Sequence, residues 1–420
     1  MRKLFALLLI TMLALGLVPS PAQGAEQVRL VMWVPSQTDA ENTYYEEAIA
    51  RFNQQNPDIV VDVQRQVYGN DYDTKLSTSR LSGDFPDVFV AYLYMIATRG
   101  ARGEYYPLDE FAQSWDDRND MFESVLNSGH YEGQLVALGF KPTPQLLVYR
   151  KDFFAEAGYA EGEVPANWDD LKAFAEKLTV RDDRGNVTRA GFDMPTLDSG
   201  YNFTNLICMQ NGAFYANEQT GTPQVNTPEM VEAYEFMREL YNMNISIPFD
   251  HNKLDSYPFL AGNSAMSYIV SSTVMAYLKN NPDMADKIGF IPPLAQKQPA
   301  TFSALHFLAI NSGCEHPQEA WRVLAFLMSD EEMYLRYQSA GVPVVKSSLQ
   351  EKFIADDPVL NRAMFDAIEV GYGKPRLTWT SIAEKILAPA WESVMNNHAG
   401  AQEALDEAQA AIEMEIQNMQ

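Results

Sequence analysis

The stretch from Glu132 to Tyr159, EGQLVALGFKPTPQLLVYRKDFFAEAGY, constrains this chain more than any other. Two apolar runs, Gln134–Phe140 and Gln145–Arg150, read as strands, with Lys141-Pro142-Thr143-Pro144 between them. A helix start follows at Lys151–Asp152 and a stop at Gly158. Proline donates no ladder hydrogen bond and pushes the residue before it into extended conformation, so a stiff in-line break between the strands is expected. Such a crossover suits passage from one lobe to another; an ordinary hairpin is the plain alternative. Two more proline-containing crossings occur, at Pro292–Pro299 and Gly341–Val345. Three of them suggest a chain that passes between two lobes three times, with a hinge there.

Length agrees. Arg2 and Lys3, an apolar run from Leu4 to Val18, and the small residues Ala22-Gln23-Gly24 read as a secretory leader cut before Ala25. The run is shorter than the roughly 20 residues that span a bilayer, and no cysteine follows it for lipid attachment. A soluble, exported protein is expected. Its roughly 395 remaining residues exceed what one core accommodates, so two domains are expected.

The order of elements supports an α/β fold. Val28–Val34 is a strand, followed by the polar turn Pro35-Ser36-Gln37-Thr38 and a helix capped near Asp39 that Asn56-Pro57 ends. Ile59–Val63 and Pro86–Val90 are the next strands. Strand and helix alternating in this way build a parallel or mixed sheet, and such sheets bind ligands beyond the carboxyl ends of their strands. That selects Trp33 to Gln37, and Ala91 to Met95. Asn167 before Asp169 and Asp170 is a strong helix cap, and Trp168 there reads as a core aromatic. Thr227-Pro228-Glu229 and His316-Pro317 open later helices; Phe259–Tyr268, Ile288–Pro293 and Leu305–Ile310 hold further strands. Ala401–Met419 reads as an exposed helix.

The formal charge of −25, two units more negative without Arg2 and Lys3, excludes a nucleic-acid partner, because that binding rests on Lys and Arg neutralising phosphate. Two cysteines, Cys208 and Cys314, exclude a disulfide scaffold; export permits a bridge between them, and two buried free thiols are the alternative. No nucleophile elbow, phosphate loop, zinc helix or dinucleotide fingerprint is present, and the five histidines are scattered. No cofactor, metal or catalytic residue is therefore expected. The positive signal is aromatic: Trp33, Tyr92, Tyr94, Phe140, Tyr268 and Trp379 sit at strand ends or in loops. Their flat apolar faces suit the C–H faces of sugars, although core packing accounts for any one of them singly.

These residues resemble a family. FNQQNP at Phe52–Pro57, GDFPDV at Gly83–Val88, EGQLVA at Glu132–Ala137, LVYRKD at Leu147–Asp152, PANWDDL at Pro165–Leu171, FLAGNSAM at Phe259–Met266 and PQEAW at Pro317–Trp321 occur in an order similar to that in extracellular solute-binding proteins of ABC importers. The maltose-binding and glycerol-3-phosphate-binding group is the nearest likeness. The resemblance implies a periplasmic two-lobed α/β fold with three hinge crossovers (type II). It implies lobe one over residues 25–141 and 295–343, and lobe two over 142–294 and 344–420. It implies a monomer that captures a carbohydrate, a di- or oligosaccharide, between the lobes and delivers it to membrane permease subunits. Motif by motif, it puts Phe140, Lys141, Thr143 and Gln145 at the first hinge, and Tyr92 and Tyr94 in the first lobe's wall. Ser271 and Ser272 stand where some sugar binders carry tryptophan, Trp379 lies in a late segment that often supplies a platform, and Ser303 and His306 replace a glycine-rich strand entry. With Trp33, Ser36, Gln37 and Tyr268, and leaving out Ser303, these are the expected ligand residues. Two other readings remain: a glycerophosphodiester or polyamine binder, with Lys141 available to a phosphate, and a secreted carbohydrate-active enzyme.

Overall fold

A computed structural model describes residues 27–195, 201–250 and 256–419. The expected leader and its cut before Ala25 lie outside these residues, as does His251. The main sheet has eight strands. In chain order they are β1 (Val28–Pro35), β2 (Ile59–Gln66), β3 (Val88–Tyr92), β4 (Ala137–Arg150), β5 (Met266–Val270), β6 (Ile288–Ile291), β7 (Thr301–Ile310) and β8 (Gly371–Tyr372). They are ordered β5-β4-β7-β3-β1-β2, with β6 also on β4 and β8 also on β7. β1 runs parallel to β2 and β3, and β8 parallel to β7. β7 runs antiparallel to β3 and β4, and β4 antiparallel to β5 and β6. The sheet is mixed, as the alternation of elements implies.

One strand departs from expectation. The two runs around Lys141–Pro144 are not separate: β4 is continuous over 14 residues, and Pro142 and Pro144 pair with Leu305 and Ser303 of β7. The prolines stand two residues apart, so both missing donors fall on the same side of the strand, and the opposite side keeps its ladder. Beyond Pro144, β4 changes partners: Gln145–Tyr149 pairs with β5 and Leu147–Arg150 with β6. A single strand thus serves two neighbourhoods of the sheet.

The helices carry the cores. They include α1 (Asp39–Gln55), α2 (Leu93–Gly100), α3 (Glu123–Ser128), α4 (Trp168–Leu178), α5 (Pro228–Asn242), α6 (Ser271–Asn280), α7 (Asp330–Ala340), α8 (Leu360–Glu369), α9 (Thr380–Met395) and α10 (Ala401–Met419). Asn167 caps α4 by accepting from the Asp170 amide, and Thr227 caps α5 through Met230. The cap of α1 is Thr38 rather than Asp39, its hydroxyl accepting from the Glu41 amide. α10 is not simply exposed: Ala401, Ala404, Leu405, Ala408 and Ile412 form a buried stripe, with acidic and amide side chains left outside. Spacings of three and four place these small residues on one face, a pattern that composition alone hides.

Two hydrophobic cores result. The first gathers β1, β2, β3, the first half of β4, β7, α1 and α3, together with Leu349, Phe353, Leu360 and Met364. The second gathers α4, α5, α9, α10 and the Leu147 and Tyr149 end of β4. Trp168 belongs to the second, stacked on Phe236 at 4.2 Å. Cys208 lies in the second core and Cys314 in the first, both buried and unbridged. At the third crossing, Gly341 ends α7 in left-handed conformation, φ 70°, and a Cβ there would stand 2.9 Å from Met275 Cε on α6. Gly341→Ala is expected to lower stability by about 1 kcal/mol, read as a fall in thermal midpoint; an unchanged midpoint would mean this turn bears no strain.

Candidate functional site

The expected residues collect around two cavities beside the crossing of β4 and β7. Tyr92 ends β3 and pairs in register with His306 of β7. Their rings lie 4.7 Å apart, and Tyr68 and Tyr94 flank Tyr92 at 6.0 and 5.9 Å. With Leu93, Asn202, Phe302 and Lys374 they line a cavity of about 210 Å³. Burial drives the tyrosine hydroxyls well above their usual range, so they stay protonated and serve as hydrogen-bond donors. His306 is held well below its usual value by burial, then by the charge of Lys141, and is neutral. Its Nδ1 is enclosed and has no hydrogen-bond partner among the described residues. The lining is thus aromatic and uncharged, apart from Lys374, which pairs with Glu384 at 2.9 Å.

A second cavity, about 250 Å³, lies where α1 begins, α6 begins and the third crossing passes. Gln37, Glu41, Lys141, Thr143, Ser271 and Ser272 line it. Lys141 is 4% exposed. Its Nζ donates to both Glu41 oxygens at 2.8 Å and to Gln37 Oε1 at 2.7 Å. Burial pulls its pKa down and the Glu41 carboxylate opposes that. All three ammonium donors have acceptors, which leaves none for the phosphate of the alternative reading. Thr143 donates to the Ala304 carbonyl of β7. α6 opens on Val270 with no side-chain cap, and the Ser271 hydroxyl is buried with no partner among the described residues.

The remaining expected residues lie elsewhere. Trp33 is 6% exposed, its Nε1 donating to Gln64, and lines neither cavity. Ser36 accepts from Asn42 beside the start of α1. Phe140 has no exposed surface: Arg336 lies 4.8 Å over its ring and donates to its carbonyl, so it packs in the core instead of forming a platform. Gln145 and Tyr268 border a third cavity of about 160 Å³ with Phe290 and Arg362. The Tyr268 hydroxyl accepts from Gln210, which in turn holds Trp168 Nε1, so Tyr268 is tied into the second core. Trp379 is 4% exposed and donates to the Gly221 carbonyl. Its ring is covered, which removes it as a stacking surface.

Tyr68, Phe302 and Lys374 were missed from the sequence. Tyr68 could have been found, since it follows the carboxyl end of β2, where the strand-end rule applies as it does after β1 and β3. Lys374 comes from a late loop and has no local signal. Among the described residues no group of three or more His, Cys, Asp or Glu side chains could hold a metal, and no helix is long and apolar enough to cross a membrane.

Comparison with known proteins adds a family and a shape. The family model for bacterial extracellular solute-binding proteins matches residues 47–361. A maltotriose-binding protein of Pyrococcus abyssi is 22% identical over 297 residues, 69% of this chain and 61% of its own length. The sn-glycerol-3-phosphate-binding periplasmic protein UgpB of Escherichia coli is 23% identical over 269 residues, 61% of this chain and 59% of its own. The chain therefore spans about three fifths of both relatives. Among solved structures, the sugar-binding protein MalE from Xanthomonas citri superposes with a TM-score of 0.81 at 19% identity, over 92% of this chain and 96% of that one.

Proposed function

The chain belongs to the bacterial extracellular solute-binding family and has its two-lobed α/β fold, and from that premise we propose that it captures a carbohydrate between its lobes for delivery to a membrane permease. The observation that carries the choice of ligand is the first cavity. Its described walls present the faces of Tyr68, Tyr92, Tyr94 and Phe302, protonated hydroxyls and a neutral histidine, and no carboxylate. Aromatic faces suit the apolar face of a sugar ring, and the hydroxyls and Asn202 suit its edge. A polyamine would need acidic walls. A glycerophosphodiester would need a cation to spare: Lys141 and Lys374 are paired with carboxylates, which leaves it the exposed Lys279 of the second cavity.

In this reading the ligand touches Tyr68, Tyr92, Tyr94, His306 and Lys374 in one cavity, and Gln37, Thr143, Ser271 and Ser272 in the other. Lobe one comprises residues 25–141 and 295–343, lobe two 142–294 and 344–420, although Leu349 to Met364 contribute to the first core. The protein is exported after cleavage near Gly24/Ala25, works as a periplasmic monomer, and turns nothing over. The relatives' names support the choice: one binds maltotriose, and the structural neighbour is sugar-binding. The sn-glycerol-3-phosphate relative keeps a phosphate ester as the second reading.

The test is tryptophan fluorescence and thermal shift of residues 25–420 against mono- and oligosaccharides, glycerophosphodiesters and polyamines. A sugar at one hundred times its Kd should add about 2.7 kcal/mol of stability. Tyr92→Ala should weaken that sugar at least about tenfold, equivalent to 1.4 kcal/mol. Shifts with phosphate esters alone would move the assignment to the second reading, and product formed over hours would make the protein an enzyme.

A further inference from the structure

Residues 371–376, Gly-Tyr-Gly-Lys-Pro-Arg, leave α8 and run over the first cavity before α9 begins. Gly371 and Tyr372 pair parallel with Thr301 and Phe302 at the start of β7. Gly373 lies against the start of α2 so closely that a Cβ there would stand 2.0 Å from Leu93 Cδ2 and 3.1 Å from the Ser303 carbonyl. Lys374 lines the cavity. Arg376 then reaches in two directions. Its backbone amide donates to Glu218 Oε1 at 2.6 Å and its Nη2 to Glu218 Oε2 at 2.7 Å, while Nη1 donates to the Asn127 carbonyl at 2.7 Å. Asn127 is in α3, whose Val125 and Leu126 belong to the first core. Glu218 is in the hairpin 216–223, whose Ala216 belongs to the second. Trp379 fixes the far end of the segment by donating to Gly221 of the same hairpin.

We propose that residues 371–376 are a strap across the cleft and that Arg376 is its latch, a positioning residue that joins α3 of one core to the 216–223 hairpin of the other. The guanidinium fork suits this: its planar donors take a carboxylate on one side and still present an N–H to a carbonyl on the other. That carbonyl is in the last turn of α3, where carbonyls lack helical partners. Trp379, covered and therefore no sugar platform, serves instead as the anchor of the strap. The consequence for ligand is kinetic and rests on the binding reading above: ligand enters the open form and leaves it, so a latch that favours closure slows both arrival and departure. The clamp itself does not depend on which ligand is bound.

The experiment is therefore run first without ligand. Spin labels on S124C in α3 and T220C in the hairpin report the separation across the latch; the native Cys208 and Cys314 are buried and remain unlabelled under native conditions. R376A is expected to shift the distance distribution outward, raising the open fraction about three- to tenfold, with the thermal midpoint within a few degrees of the parent. E218Q, which frees the guanidinium but removes no packing, should do the same more weakly. The side chains of Arg376 and Glu218 are 28% and 36% exposed. Raising salt should therefore open the parent and leave R376A unmoved. With a sugar from the panel, the off-rate should rise by the same factor, and the on-rate should rise with the open fraction. Identical distributions for parent, R376A and E218Q at low salt would overturn the latch, whatever the ligand panel shows. A shift in distance in the ligand-free protein, together with no binding by any sugar of the panel, would keep the latch and fault only the carbohydrate reading.

Discussion

Replacing Lys141 by alanine is expected to destabilise the protein by about 3–5 kcal/mol, because it leaves the Glu41 carboxylate buried and unpaired. Both side chains are 5% exposed, and they face each other at 2.8 Å. Glu41 also stands in the first turn of α1, where the helix dipole favours a negative charge. The ion pair is a weak source of net stability, since each charge had to leave water to form it. The double variant Lys141→Met with Glu41→Gln should consequently recover most of the loss. Urea unfolding of both single variants and the double measures this directly. A cost below about 1 kcal/mol for the alanine variant, or additive costs in the double, would show that the pair is solvated in solution. The variant also separates stability from binding: Gln37 and Thr143 remain in place, so a stable double variant that no longer binds would put the ammonium itself among the ligand contacts.

The second large effect concerns Asp193, which burial pushes up to about 7, with the Ser264 and Ser267 hydroxyls and the Phe259 amide only partly offsetting it. It is 2% exposed, accepts from the Phe259 amide at 3.2 Å, and lies under the turn that leads into β5. The sign follows from linkage. Below the unfolded value near 4 both states hold the proton. Between about 4 and 7 the folded state keeps a proton that the unfolded chain releases, so stability falls as pH rises through that window. Above 7 the loss is complete, at about 3–4 kcal/mol for a shift of this size. Asp193→Asn keeps an acceptor for the Phe259 amide and cannot ionise. Its advantage over the parent should grow from about 1 kcal/mol at pH 4.5 to about 4 kcal/mol at pH 8, read by urea unfolding across that range. A difference that stays constant with pH would mean that Asp193 does not titrate in this window.

How much was visible beforehand depends on the range over which each signal acts. Helix starts at Asn167 and Thr227 were legible because the cap and the amide it accepts from are three residues apart. Tyr92, Tyr94 and Lys141 were legible because strand ends and an extended crossing mark position without tertiary knowledge. Pro142 and Pro144 misled because a missing donor breaks a ladder only on the side it faces, and that side is fixed by β7, more than 150 residues later. Phe140 and Trp379 misled for a related reason: a ring at a strand end or in a loop is a platform or a plug according to what lies over it. Arg336 covers the first and the 216–223 hairpin holds the second. Lys374 and Arg376 left no trace because their partners, Glu384, Glu218 and Asn127, have no fixed offset from them.

The unbroken β4 carries a mechanical consequence. At about 3.3 Å per residue, its 14 residues make a rod of roughly 45 Å that holds two bodies with no loop in between. A rod of that kind has no loop to pivot on; its bulge within the β7 ladder, at Phe140, shifts the register by a residue without ending the strand. It behaves like a leaf spring, taking up any rotation of one end against the other as small changes of twist shared along its length, with the two prolines stiffening its middle. Motion of the bodies should then be smooth and self-centring, and a substitution anywhere along the spring should alter its stiffness by a little, in place of one residue that governs it all.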